Sequence, residues 1–503
     1  MKKTGRTNVS RIIALILAAL MVFSALISAI LSMAHFGHAH AEELGANTEY
    51  RIAACMLPAE QALRCEQTTV YTNETDGKLS QLFFSCYPNA LRRQETLPFD
   101  ADDLAAAYPN GFAPGGVQFS SVQVDGQEAN WGVQGEDETF LRVAVDLEPG
   151  RTAQIRFVYD ILLPVCSGFA GAGSFDWRLT NAFPTVCPFV NGAFQTNGIL
   201  SAGRFAYAET ADWELELLAP EGWCVIAGGT GSAENAEDGW VKWTREIKNA
   251  RDLALVIGRR YTAYASETDG RIAVYANDAP AAQAALKAAE GALALYERWF
   301  GPYPWPDVDL VMSQYAQGIK SAPGVLLLNK DCFALAERDE LEYGIALGLA
   351  QQFFGEAVGV DPYDEPWLCE SLSSLCALLY SRETYGEERF LQQMRERVQP
   401  TLTLTIPGGV AADSSAAYFN SRSEYEMMLR GRGAAALYEL MLAMGEDEFL
   451  RALGLYYEQN VLGLGDIEKF VGACNAASGG EWGRFLTDML ATIGEDSAQT
   501  EWY

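Results

Sequence analysis

The sequence predicts a multidomain β plus α/β protein: an antiparallel β domain followed by a mainly helical α+β domain. Three observations carry that reading. Runs of alternating apolar and polar residues dominate residues 43–261. After Pro280 the apolar positions recur at helical spacing. At 503 residues, the chain is too long for one ordinary domain.

The first 41 residues read as a targeting segment. Lys2, Lys3, Arg6 and Arg11 form a basic end, and an uncharged run from Ile12 to Met33 follows. At about 1.5 Å per residue that run is long enough to cross a bilayer. Ala39-His40-Ala41, a small-x-small cleavage pattern, stands just before Glu42-Glu43. A cleaved signal peptide and an uncleaved membrane anchor both fit, and either places the rest of the chain outside the cytoplasm.

Within 43–261, "EQTTVYTNETDGKLSQLFFSCYP" and "GGVQFSSVQVDGQEANW" each give two extended runs around an Asp-Gly turn. "FLRVAVDLEPGRTAQIRFVYDI" and "WELELLAPEGWCVIAGG" alternate as strands with one buried face do. The second domain, 262–503, opens with a strand-like "DGRIAVYAND" (269–278) and an Ala-rich helix over 281–299. "FGPYPWPDVDLVMS" and "APGVLLLNK" add two strands. Helices are then expected near 337–355, 366–381, 386–398, 432–444, 446–459, 466–477 and 481–492.

Composition narrows the function. A formal charge of −30 excludes a nucleic-acid partner, which needs a Lys/Arg surface. All three histidines (His35, His38, His40) fall in the leader, where they read as a juxtamembrane spacer. The remaining chain therefore lacks the commonest zinc ligand and the commonest neutral-pH general base. Ten cysteines all lie beyond residue 54 without a C-x-x-C pair, so a cysteine zinc site has no support. Cys55–Cys65 and Cys166–Cys187 are local disulfide candidates, and scattered buried thiols fit equally well.

Residues 341–375, "LEYGIALGLAQQFFGEAVGVDPYDEPWLCESLSSL", carry the most specific pattern. "LGLAQQFFG" (347–355) and "WLCES" (367–371) resemble the two helices of peptidase family M1, the zinc aminopeptidases. There the motifs read H-E-[LIM]-x-H-Q-W-F-G and W-L-N-E-G. The two His are zinc ligands one turn apart, the Glu between them is the general base, and the later Glu completes the metal site. Eighteen residues separate Gln351 from Glu370, the family's own spacing. "WFGPYPWPDVDLV", "QGIKSAPGVLL" and "RGAAALYELMLAMGEDEF" resemble further family segments. Gly318, Pro323 and Gly324 fall on the substrate-binding strand with Lys320 and Ser321. The resemblance covers roughly residues 45 to 490. It implies a saddle-like β domain followed by a thermolysin-like (gluzincin) domain, without the family's large C-terminal helical domain.

The chemistry-bearing positions depart from the pattern. Leu347 stands at the first His, Gly348 at the general base and Gln351 at the second His. Ser321 replaces the Glu that would hold a substrate's amino terminus, and Arg430 falls where the oxyanion-stabilising Tyr would be. Only the third ligand position, Glu370, is retained. One carboxylate beside Leu and Gln does not hold zinc, which takes three protein ligands near 2 Å. Glu340, Glu342 and Glu356 stand at the wrong spacings to substitute. The expectation is therefore an exported, membrane-associated pseudopeptidase without zinc that binds a peptide or protein. Alternatives are a hydrolase rebuilt around Glu370, Ser321, Lys320 and Arg430, and a structural subunit of a membrane assembly.

If Glu370 is kept in a closed cleft, it needs a partner. Arg430, and with it Lys320, is expected to replace the charge of the metal. Leu347, Leu349, Phe353 and Phe354 are expected in the core. Gly348, costly inside a helix, implies tight packing against a neighbouring element.

Overall fold

The computed structural model describes residues 48–334 and 338–492. The expected leader and its histidines lie outside the described residues. The largest sheet has eight strands, ordered Thr230–Asn235, Trp240–Ala250, Ala211–Pro220, Thr48–Leu57, Ala62–Thr72, Thr152–Leu162, Gly116–Val124 and Gln127–Glu128. Its neighbours pair antiparallel, except that Thr48–Leu57 and Ala211–Pro220 run parallel. Alternate residues of Thr48–Leu57 and Thr152–Leu162 are buried, so the period-2 signal reports one core face.

The two Asp-Gly turns behave differently. Asp125-Gly126 closes a two-residue hairpin between Val124 and Gln127 with φ of 50° and 78°, the left-handed pair such a turn needs. Around Asp76-Gly77, Ala62–Thr72 stays in the large sheet while Leu79–Ser85 pairs with Phe140–Leu147 in a separate four-stranded sheet. The chain switches layers there instead of folding back. Phe140–Leu147 and Thr152–Leu162 likewise belong to different sheets.

None of the ten cysteines forms a disulfide. For Cys55 and Cys65 the register explains it: Cys65 faces Ala54 and Cys55 faces Arg64. Neighbouring positions on paired strands point to opposite faces, so the two thiols diverge. Cys166 is buried with its Sγ 3.4 Å from the Ala170 carbonyl, and Cys187 is a buried thiol as well.

The second half begins with a five-stranded sheet, ordered Thr262–Ala265, Ile272–Ala276, Val308–Ser313, Val325–Asn329 and Ile319–Ala322. Helix α1 (Ala101–Ala107) belongs to the β half, whereas α2 (Ala279–Phe300) is the crossover between the parallel strands Ile272–Ala276 and Val308–Ser313. The Asp278 carboxylate accepts from Ala281 N, with Pro280 in the first turn, and Gly301 at φ 125° ends the helix. Then follow α3 (Arg338–Gln351), α4 (Trp367–Tyr385), α5 (Glu387–Gln393), α6 (Arg422–Glu426), α7 (Ala434–Met444), α8 (Glu446–Asn460), α9 (Ile467–Ser478) and α10 (Gly483–Leu490). Wider π-type turns extend α3 through Gln352–Ala357 and join α6 to α7 through Met427–Gly433. Among the described residues, no helix is long and apolar enough to cross a membrane.

The two halves meet backbone to backbone. Gly324, at φ 72°, lies in the turn between Ile319–Ala322 and Val325–Asn329, and a Cβ there would stand 2.7 Å from Gly228 Cα. A Cβ at Gly228 would overlap the Pro323 carbonyl. Gly229 N donates to Asp307 Oδ1 at 2.7 Å across the same junction.

Candidate functional site

Helices α3 and α4 pack side by side and bring Gln351, at the end of one, to Glu370, in the first turn of the other. Glu370 is 1% exposed. Its Oε2 accepts from Gln351 Nε2 at 3.2 Å and from Arg430 Nε at 2.7 Å. The second contact has the length of a charge-assisted bond. Arg430 also reaches Glu426 Oε1 at 2.9 Å, and that oxygen takes a further bond from Arg422 Nη1 at 3.1 Å. Arg422 Nε in turn donates to both carboxylate oxygens of Asp103 at 2.9 Å.

A single chain of alternating charge therefore crosses the cleft: Asp103, Arg422, Glu426, Arg430, Glu370, closed by Gln351. It starts on α1 in the β half and ends on α3. Arg422, Glu426 and Arg430 are four residues apart, so they form one row on their helix. Buried beside two carboxylates, the Arg430 guanidinium is held more firmly protonated than usual.

Across the cleft lies a second network. Arg204 pairs with Glu356, which the π-type turn after α3 carries inward. Arg251 donates to backbone oxygens of Glu356 and Ala208, at 2.8 and 2.7 Å. Burial raises the Asp252 carboxyl to about 7, although it accepts from Asn181 N at 2.8 Å.

Gln352 ties α3 to the strand beneath it. Its Nε2 donates to Ser321 Oγ at 3.1 Å and Ala322 O at 2.7 Å, while Oε1 accepts from Tyr303 OH at 3.0 Å. Ser321 is thus held by an amide, and no hydrogen bond joins it to Lys320. Lys320 also falls outside the expected partnership with Glu370. Among the described residues it makes no ion pair or hydrogen bond, and its Nζ lies 5.2 Å over the Phe205 ring. Burial and the neighbouring Arg204 lower its ammonium to about 8.

Leu347 is buried in the core, as are Leu349, Phe353 and Phe354. At Gly348 an added Cβ would overlap Leu326 Cδ1 and crowd Ile319 Cγ2, at 3.1 Å. The small residue is what lets α3 lie close on the strands. Gly318 stands at φ 83° in open space, so its backbone alone explains it. Pro323 and Gly324 form the turn at the domain junction.

Of the family's zinc-ligand positions, only Glu370 bears an acid, and its Oε2 is taken by Arg430 and Gln351. Leu347 offers no lone pair, and Gly348 offers neither a base nor room for one. These residues do not fit the metal. No cluster of three or more His, Cys, Asp or Glu able to hold a metal ion occurs among the described residues. Arg204 and Arg251 were not singled out from the sequence, because they come from segments with no spacing signal, and Glu356 was weighed only as a substitute ligand.

Residues 284–490 match the Peptidase family M1 domain. The chain is similar to Aminopeptidase M1-A of Oryza sativa subsp. japonica, at 25% identity over 221 residues, covering 41% of this chain and 25% of that protein. It is also similar to Aminopeptidase N of Streptomyces lividans, at 21% over 307 residues, covering 56% and 35%. The matches thus span between about a quarter and a third of these relatives' lengths. Among solved structures, the M1 zinc metallopeptidase from Deinococcus radiodurans superposes with a TM-score of 0.61 at 16% identity, covering 90% of this chain and 95% of that one. A mutant of it bound to a Tyr-Ser-Ala substrate gives 0.60 at 16%, covering 88% and 94%. At that identity the likeness carries the fold.

Proposed function

Starting from the chain's homology to the M1 peptidases, we propose that it is an exported, non-catalytic member that uses the cleft between its halves to bind a peptide or protein segment. The observation that carries this reading is the Arg430–Glu370 pair. A guanidinium engages the one retained ligand carboxylate at 2.7 Å, supplying the positive charge that a metal would supply. A carboxylate oxygen so engaged is not free to coordinate a cation. With Gly348 at the general-base position and no histidine beyond His40, the motif lacks the groups the family uses to bind and activate water. Export rests on the basic, apolar and small-x-small leader, and cleavage or retention of that leader decides between secretion and membrane tethering.

Elemental analysis of the purified, untagged protein tests the reading. The expected result is less than about 0.1 equivalent of zinc after equilibration with zinc and removal of the free ion. No turnover of aminoacyl or short peptide substrates is expected. Stoichiometric zinc, or hydrolysis that Glu370→Gln abolishes, would overturn it.

A further inference from the structure

Among the described residues, Lys320 is a cleft cation without an ion-pair partner. The strand Ile319–Ala322 carries it, opposite Leu327, and it lines both the cleft beside Glu370 and a smaller one behind it. Three carboxylates act on it electrostatically, and each already has another partner. Glu356 is paired with Arg204, Glu370 with Arg430, and Asp252 accepts from Asn181 N. Lys320 faces the Phe205 ring instead. This half-buried ammonium has no carboxylate of its own to meet it. In a chain of formal charge −30, a cationic point inside a cleft also attracts anions that the outer surface repels.

We propose that Lys320 is the anchor of a carboxylate-binding subsite, which takes a carboxylate of a short peptide. The ligand oxygen would complete the hydrogen bonding of the ammonium, with the Arg204 guanidinium adding to the local field. This subsite rests on the peptide-binding reading of the cleft and specifies its ligand.

Calorimetric titration of the full chain with three acetylated tripeptides tests it: trialanine free acid, trialanine amide, and Ala-Glu-Ala amide. At least one acid-bearing peptide should bind about tenfold or more tightly than trialanine amide, and which one does so distinguishes a terminal from a side-chain carboxylate. Lys320→Met should bring that ratio to about one, whereas Lys320→Arg should keep part of it. Thermal melting checks that each variant folds, and the wild-type ratio decides the matter if Lys320→Met does not. Equal affinity for all three peptides, no saturable binding by any, or selectivity that persists in a folded Lys320→Met protein would overturn the subsite. Equal affinity would leave a peptide-binding cleft intact, and zinc or turnover would sink the non-catalytic reading whatever the ratio.

Discussion

At Glu370 a carboxylate is 1% exposed and survives because a guanidinium meets it. Removing one partner of such a pair leaves a buried charge uncompensated, which typically costs about 3–5 kcal/mol. Gln351 still donates to the same oxygen, so Arg430→Met should destabilise by about 3 kcal/mol in urea unfolding. Adding Glu370→Gln should recover more than half of that loss, because the charge leaves with its partner. Equal stability of wild type and Arg430→Met would mean that water reaches Glu370. The pairing was legible in the sequence, since Arg430 falls on a motif position in register with Glu370. The isolation of Lys320 was not. It depends on Arg204 and Glu356, which are 152 residues apart and come together only through the fold.

Among the elements, α3 shows most directly how packing overrides propensity. Alanine suits a helix interior better than glycine by about 1 kcal/mol, so propensity alone favours Gly348→Ala. Overpacking a close contact costs about 1–3 kcal/mol, and here the added methyl meets Leu326 and Ile319. Gly348→Ala should therefore lower stability by about 1–2 kcal/mol in thermal or urea unfolding, and a gain would show that the strands yield. A glutamate at this position meets the same wall. The helical half was legible wherever apolar residues recur at helical spacing: α2, α4, α8 and α9 lie within a few residues of expectation. The Arg422–Gly433 helix, carrying three members of the charge row, was missed because charged residues and glycines break its periodicity. Turn chemistry was legible, but its outcome was not. Asp76-Gly77 and Asp125-Gly126 look alike, and only a sheet partner far along the chain, Phe140–Leu147 for Leu79–Ser85, decides which one closes a hairpin.

On the scale of the whole molecule, the likeness to the M1 peptidases and the two-part fold were readable from ordered anchors along the chain. The way the halves join was not, because it rests on glycines and buried acids far apart in sequence. Asp309 lies in that junction, 7% exposed, on the strand that also contacts Asp307 and Arg245 through their fields. Burial first, and then the Asp307 charge, raise its carboxyl from 3.8 to about 8, while Arg245 opposes the change. Between about pH 4 and 8 the unfolded chain releases this proton and the native protein retains it. Native stability should therefore fall as pH rises through that window, by up to about 1.4 kcal/mol per unit from this group. Asp309→Asn should flatten the slope in unfolding experiments at pH 5, 6.5 and 8, and an unchanged slope would assign it to other acids.

The contact of Gly228 with Gly324 has a mechanical consequence. Side chains at an interface act as springs, since they change rotamer and let neighbouring bodies slide. Here bare backbone bears on bare backbone, since a Cβ added at either glycine would stand 2.7–2.9 Å from the other's Cα. Such a contact works as a hard stop rather than a hinge. The contact therefore limits how far the halves can close on one another at this point, while separation meets no such steric barrier.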